Sequence, residues 1–113
     1  MYRCHVEFYL INCPPNVLET ITALPVLEGF DHAFTSSSEP QSELLARADV
    51  ILAVPARGEE TVRILSEGRK STAELILLSE QEQTASLSNS VALANELWRL
   101  PMTETELRFR FRR

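Results

Sequence analysis

The sequence predicts an α/β fold in which helices cover both faces of a parallel sheet. Two runs, 48–55 and 73–79, are apolar almost throughout and show no alternation of polar and apolar residues. Such runs are typical of strands that are buried on both faces. Segments with apolar residues at helical spacing stand between the strand-like runs, and the connections are short. The chain is therefore expected to form a three-layer α/β/α sandwich with a five-stranded parallel sheet.

The strand predicted at 48–55 organises the rest of the chain. Open α/β sheets bind ligands beyond the carboxyl ends of their strands, so any chemistry is expected next to Val54 and Pro55. The residues at that end are valine, proline and alanine, whose side chains neither ionise nor bind a metal. The position suits an active site, but the residues that occupy it do not.

Length and composition indicate one ordinary globular domain. The 113 residues are 44% hydrophobic and 24% charged, enough for a core without disulfides. No apolar run approaches the roughly 20 residues of a membrane span, and the first residues lack a signal-peptide pattern. Cys4 and Cys13 lie on or next to one predicted strand and are poorly placed to bridge. We therefore expect a reduced, cytoplasmic protein without contact to a membrane.

The charge distribution argues against a nucleic-acid partner. The net charge is −5, but four of the 11 basic residues lie within the last six positions, at 108–113. Residues 1–107 thus carry 11 − 4 = 7 basic and 16 acidic side chains, a formal charge of −9. Nucleic-acid binding requires clustered lysine and arginine. The short basic tail, which contains Phe109 and Phe111, is more consistent with a helix that leads into a further segment.

The first half of the chain predicts two strands and two helices before the strand at 48–55. Residues 4–11 form the first strand, which ends at Pro14 and Pro15. Apolar residues at helical spacing predict a helix at 16–28, which Pro25 kinks or shortens. Residues 32–35 predict a second strand. Ser38 and Gln41 have the spacing of a capping box and predict the start of a helix that contains Leu44, Leu45 and Ala48.

The second half predicts three helices and two strands. A helix from Glu59 to Glu67 should point Val62, Ile64 and Leu65 inward and stop at Gly68. The fourth strand is expected at 73–79, a short or loosely held helix within 80–95, and the fifth strand at 97–101. Thr103 and Glu106 have capping-box spacing for a last helix in which Leu107 and Phe111 share a face.

Three of these segments resemble the receiver domain of two-component response regulators. Ala48-Asp49-Val50-Ile51-Leu52-Ala53-Val54 is similar to the family's third strand, which ends in the phosphorylated aspartate. Glu74-Leu75-Ile76-Leu77-Leu78-Ser79 is similar to the fourth strand, which ends in a switch serine or threonine. Trp98-Arg99-Leu100-Pro101 is similar to the fifth strand and its lysine–proline end. The resemblance covers nearly the whole chain and implies a CheY-like, flavodoxin-like topology with strand order 2-1-3-4-5.

The family's phosphorylation chemistry is missing from the matching positions. Asn12 and Cys13 stand where the family has the acidic pair that holds Mg²⁺. Val54 replaces the phosphoacceptor aspartate and Leu100 replaces the lysine, while Ser79 keeps the family's residue type. Mg²⁺ requires hard oxygen ligands, and aspartyl phosphorylation requires a carboxylate nucleophile. The resemblance therefore implies a non-catalytic pseudo-receiver that uses no Mg²⁺ or other cofactor.

Two other functions remain open from the sequence. Cys13 follows the first strand and precedes a helix, a position where a lowered pKa would make it a nucleophile, as in phosphocarrier domains. Pro14 and Pro15 oppose this reading because they remove backbone N–H groups that would bind a phosphate. The second alternative is a small-ligand sensor that uses the cleft beside Val54.

The last strand and helix are the best candidates for an interaction surface. In receivers this part of the domain forms a dimer surface and leads into an output domain. The resemblance implies that residues 1–113 are the N-terminal regulatory module of a longer signalling protein, acting through protein contact or dimerisation on a linked output domain such as a cyclase or kinase. The predicted switch and interface residues are Trp98, Leu107, Phe109 and Phe111. Trp98 stands near the family's switch aromatic and is expected to be half-buried.

Overall fold

A computed structural model describes residues 5–23, 31–80, 87 and 90–111 of the chain. Its five strands form one parallel sheet in the order β2-β1-β3-β4-β5. The strands are β1 (His5–Ile11), β2 (Asp31–Ser37), β3 (Val50–Ala53), β4 (Glu74–Glu80) and β5 (Glu96–Leu100). The helices are α1 (Pro15–Thr22), α2 (Ser42–Arg47), α3 (Glu59–Gly68) and α4 (Glu104–Phe111), with a 3₁₀ turn at Val91–Leu93. The predicted sandwich and strand order are confirmed.

Two apolar clusters hold the helices against the two faces of the sheet. Alternate residues of each central strand point to opposite faces. Leu52 and Ile76 belong to a cluster shared with α1 and α4, whereas Ile51 and Leu75 belong to a cluster shared with α2 and α3. We call these the α1/α4 cluster and the α2/α3 cluster. Because β3 and β4 contribute to both clusters, they need apolar residues at successive positions, which explains their uniform composition.

Several local predictions are wrong. The Ser38–Gln41 capping box does not form, because α2 begins at Ser42 and Gln41 occupies the N-cap position without a side-chain cap bond. Ile64 is 46% exposed, since the inward face of α3 is formed by Val62 and Leu65.

α3 ends at Gly68, where the sequence predicted the helix to stop. Gly68 also has a packing role, because a Cβ atom there would meet Leu45 Cδ1 at 2.8 Å. Its small size therefore allows α2 and α3 to approach each other closely.

The capping box of the last helix is confirmed. The Glu106 backbone N–H donates to Thr103 Oγ1 at 3.1 Å, and the Thr103 N–H donates to Glu106 Oε1 at 3.4 Å. In the region 80–95 the structure shows the 3₁₀ turn at Val91–Leu93, while residues 81–86 and 88–89 lie outside the described part. Cys4 and residues 24–28 of the predicted first helix lie outside it as well. No helix among the described residues is long and apolar enough to cross a bilayer.

Asp49 joins three segments at the amino end of the sheet. Its Oδ2 accepts the Glu7 backbone N–H at 2.8 Å, and its Oδ1 pairs with Lys70 Nζ. Its backbone N–H donates to the Glu7 carbonyl and its own carbonyl accepts from the Glu74 N–H. The Lys70 ammonium, followed by the Glu7 N–H, lowers the pKa of the Asp49 carboxyl. The Asp49 carboxylate thus ties β1 to Lys70, and the Asp49 backbone groups join β1 to the start of β4.

Replacing Asp49 with alanine is expected to lower the free energy of unfolding by about 1 kcal/mol at pH 7, because the site is partly exposed. The lowered pKa sets the direction of the pH effect. The stabilisation is present above the unfolded pKa of about 3.9 and is lost as the pH falls through the folded value. Urea unfolding at pH 7 and pH 3 measures this, and the two proteins should converge at low pH. If the wild-type protein and the variant differed in free energy of unfolding by the same amount at pH 7 and pH 3, the charge of Asp49 would not be the cause.

Candidate functional site

The sheet brings three of the predicted site residues together at its carboxyl edge. The Val54 N–H donates to the Ile11 carbonyl at 3.0 Å, which places Val54 beside the end of β1. Asn12 Nδ2 donates to the Val54 carbonyl at 3.1 Å, and the Cys13 thiol lies 3.6 Å from the Leu52 carbonyl. Asn12 has a φ of 55°, a left-handed conformation that asparagine adopts more readily than most residues. Asn12, Cys13 and Val54 therefore form one site.

The Cys13 thiol is held as a neutral group. Its single S–H lies within hydrogen-bonding distance of two carbonyl oxygens, those of Leu52 at 3.6 Å and Ile11 at 3.7 Å, and the residue packs against the α1/α4 cluster. Burial raises the pKa of the thiol to about 12. The first turn of α1 adds little opposing polarity, because both Pro14 at its N-cap and Pro15 at its first position lack an N–H. These surroundings oppose the reading of Cys13 as a nucleophile.

Cys13 is therefore expected to react slowly with iodoacetamide in the folded protein, with a rate that keeps rising above pH 9 rather than levelling off near pH 8. Mass spectrometry of peptides that contain Cys13 follows this reaction separately from Cys4. Protein unfolded in urea provides the reference rate. If the alkylation rate in the folded protein levelled off below pH 8, the thiol would not be neutral at that pH, and the interpretation of Cys13 as a nucleophile would be supported.

The other two predicted site residues lie on the neighbouring strands. Ser79 is fully buried near the end of β4, and its hydroxyl donates to the Glu80 carbonyl at 3.0 Å. Leu100 ends β5 opposite Glu80 and is buried. Leu100 belongs to the α1/α4 cluster, against which both Cys13 and Val54 pack. Three of the five positions that carry polar chemistry in receivers thus contribute to one apolar cluster here.

The donors at this edge do not suit a divalent metal. Asn12 uses its amide nitrogen to bind a backbone carbonyl, and Cys13 keeps its proton. Mg²⁺ prefers carboxylate oxygens and water in an octahedral arrangement. Within the described ranges, no group of three histidine, cysteine, aspartate or glutamate side chains is close enough to hold an ion. The residues present therefore do not fit the metal that the receiver resemblance would imply.

The predicted interface residues divide into buried and exposed ones. Trp98 and Leu107 are each 1% exposed and lie inside the α1/α4 cluster, so neither side chain is presented to a partner in this structure, and their predicted switch role stays a prediction. Trp98 is also not half-buried as expected, and its indole N–H donates to Glu96 Oε1 at 3.0 Å. Phe109 on α4 is 71% exposed. The side chain of Phe111 lies outside the described part of the chain.

A cleft of about 160 Å³ opens beside the site, between the loop that follows β2 and the start of α3. Val54 and Asn12 line it on the sheet side, and Glu39, Arg57 and Ile64 line it on the solvent side. The sequence suggested a cleft beside Val54 but none of these three residues. No motif signals them, because the loop after β2, the loop after β3 and α3 bring them together only in the folded chain.

Comparison with known proteins agrees with this architecture. No protein-family model and no curated protein matches the chain. The solved structures that it resembles include the Vibrio cholerae chemotaxis protein CheY4, with a TM-score of 0.63, 13% identity and coverage of 96% of this chain and 97% of that one. A Burkholderia pseudomallei response regulator, solved with a phosphorylated aspartic acid, calcium and citrate, gives a TM-score of 0.58 at 13% identity over 90% of this chain. The match spans 64% of the Burkholderia protein's length. The chain therefore has the CheY-like receiver fold.

Proposed function

We propose that this chain is a non-catalytic pseudo-receiver, a signalling domain that works without phosphorylation. One observation carries the proposal: at the carboxyl edge of the sheet, Leu100 belongs to the α1/α4 cluster and both Cys13 and Val54 pack against that cluster. The Burkholderia neighbour carries a phosphorylated aspartic acid. Valine provides no carboxylate that could accept a phosphoryl group.

The other residues at this edge also oppose phosphorylation. A charged acid pair and lysine at this edge would have to stay hydrated or be paired, since desolvating charges is costly. Apolar residues at the same positions add to the core instead. We propose that the fold is retained here as a scaffold and that no Mg²⁺ binds at this edge. The neutral Cys13 thiol makes the phosphocarrier alternative weaker than the pseudo-receiver reading.

We propose that α4 and the edge strand β5 provide the contact surface. β5 is an edge strand of the sheet that the described strands form. Phe109 is exposed on α4, flanked by the exposed arginines Arg108 and Arg110. A second copy of the chain or another protein would cover this surface. By the same resemblance, we propose a linked output domain, for which the natural reading frame beyond Arg113 is the direct check.

The test treats the protein with Mg²⁺ and either acetyl phosphate or beryllofluoride. Intact-mass spectrometry should show no covalent phosphate, and analytical ultracentrifugation should give the same oligomeric state with and without the phosphodonor. A stoichiometric aspartyl phosphate, or a change of oligomeric state on treatment, would refute the proposal.

The contact surface is tested separately with Phe109→Asp. Leu93→Asp is the matched control, because Leu93 is also an exposed large apolar residue but lies on the 3₁₀ turn. The Phe109 variant should weaken self-association or partner capture, and the Leu93 variant should not. Equal effects of the two variants would contradict a surface centred on α4.

A further inference from the structure

The cleft beside Val54 has an apolar floor and a charged rim. Ile11 and Val54 contribute its sheet side and Ile64 its helix side. Ile64 is one of three large apolar residues that are exposed within the described part of the chain. It projects from α3 next to the buried Val62 and Leu65 and lies outside both apolar clusters. A ligand in the cleft would cover this side chain.

Two opposite charges face each other at the mouth of the cleft. Arg57 Nη2 lies 4.0 Å from Glu39 Oε1, and the two side chains are 68% and 78% exposed. An ion pair this exposed and this long contributes little to stability, so it can open at little cost. Each group can then pair with the opposite charge of a ligand.

Hydrogen bonds fix the backbone on both sides of the cleft. The Tyr9 hydroxyl accepts the Gln41 N–H at 3.1 Å, and the Ser37 hydroxyl donates to the Glu39 carbonyl at 2.7 Å. On the other side, the Arg57 N–H donates to Thr61 Oγ1 at 2.9 Å. The backbone at both charged residues is therefore held in place, so binding has to order only their side chains.

The size of the cleft restricts what it can hold. A volume of about 160 Å³, at roughly 30 Å³ for each water in the liquid, admits about five water-sized groups. This is well below the roughly 300–1,000 Å³ of sites for drug-sized ligands. A short aliphatic chain fills such a space, with its charged groups left at the rim.

We infer that this cleft binds a small zwitterion, a free α-amino acid with a branched aliphatic side chain. The ligand's carboxylate pairs with the Arg57 guanidinium and its ammonium with the Glu39 carboxylate, while its side chain covers Ile64 and Val54. An anion alone would meet the Glu39 carboxylate, and a cation alone would meet Arg57. The inference goes beyond the proposed signalling role and does not depend on it.

The test is a titration followed by ¹⁵N–¹H NMR with L-valine, L-leucine and two analogues of valine that each lack one charge. Isobutylamine lacks the carboxylate, and 3-methylbutanoate lacks the ammonium. The amino acids should give saturable shifts for Asn12, Val54 and Ile64 in the millimolar range, and each analogue should bind at least tenfold more weakly. Absence of saturable shifts with every amino acid would overturn the inference, as would equal binding of either analogue.

Variants then test the two charged residues. Arg57→Ala and Glu39→Ala should each weaken valine binding at least tenfold, whereas Arg99→Ala, at an exposed position on β5, should leave it unchanged. Each variant is folded if its chemical shifts outside the cleft match those of the wild-type protein. Retention of full affinity in both cleft variants would overturn the assignment of the rim charges. Failure of this test leaves the phosphodonor result unaffected, so the two proposals can fail separately.

Discussion

Replacement of Trp98 with alanine is expected to lower the free energy of unfolding by about 3–5 kcal/mol. Trp98 is 1% exposed and is the largest fully buried side chain in the described part of the chain. It lies in the α1/α4 cluster with Leu100 and Leu107, so its removal leaves a cavity where β5 meets α4. It also frees the Glu96 carboxylate from the indole N–H. Because a domain of this kind is stable by only about 5–15 kcal/mol, this loss is a large part of the total.

Urea unfolding followed by circular dichroism measures the effect. Trp98→Phe is the graded control, because it keeps an aromatic ring in the cluster and loses the N–H donor and part of the volume. Its loss should be clearly smaller than that of the alanine variant, and it remains measurable if the alanine variant does not fold. A loss below about 1 kcal/mol for Trp98→Ala would mean that the indole is not packed as described.

The burial of Trp98 could be predicted from the sequence only in part. The uniform apolar runs of β3 and β4 predicted strands covered on both faces, because that pattern has few other structural solutions. In β5 the exposed Arg99 lies between the buried Trp98 and Leu100, and such alternation specifies one buried face without indicating which helices cover it. Trp98 belongs to the α1/α4 cluster because of the strand order and because α4 packs back against the sheet. Both depend on contacts between residues that are distant in sequence.

For caps and loops too, contacts within one turn could be predicted from the sequence, whereas contacts that depend on tertiary packing could not. The Thr103–Glu106 capping box could be predicted because both partners belong to one turn of helix. The Ser38–Gln41 pair has the same spacing, but there Ser37 and Tyr9 hold the loop in a different path. Asp49 and Arg57 act through partners brought near by tertiary packing, Lys70 and Glu39 respectively. The sequence thus located the carboxyl edge and its missing carboxylates but could not assemble the cleft beside them.

Introducing an aspartate at position 54 is expected to destabilise the domain without restoring phosphorylation. In the Val54→Asp variant a carboxylate would replace a side chain that packs against the α1/α4 cluster. Leu100 supplies no cation to pair with it, and Asn12 and Cys13 supply no carboxylates for Mg²⁺. The cost should be about 1–3 kcal/mol at pH 7, since the carboxylate loses part of its hydration against the apolar cluster, while Arg57 at the solvent side of the cleft already faces Glu39.

The pH dependence of stability distinguishes the effect of the new charge in Val54→Asp from the effect of the altered side-chain shape. Burial should raise the folded pKa of the new carboxyl above the unfolded value of about 3.9. The penalty is then greatest well above the folded pKa and shrinks as the pH falls through it, because the neutral acid is easier to bury. Val54→Asn, which is similar in shape but cannot ionise, should show a penalty without this relief at low pH. Urea unfolding from pH 7 to pH 4 compares the variants, and intact-mass spectrometry after acetyl phosphate with Mg²⁺ should find no phosphate on Val54→Asp. A phosphorylated variant, or one as stable as the wild type at pH 7, would mean that this edge still tolerates the receiver chemistry that its apolar packing opposes.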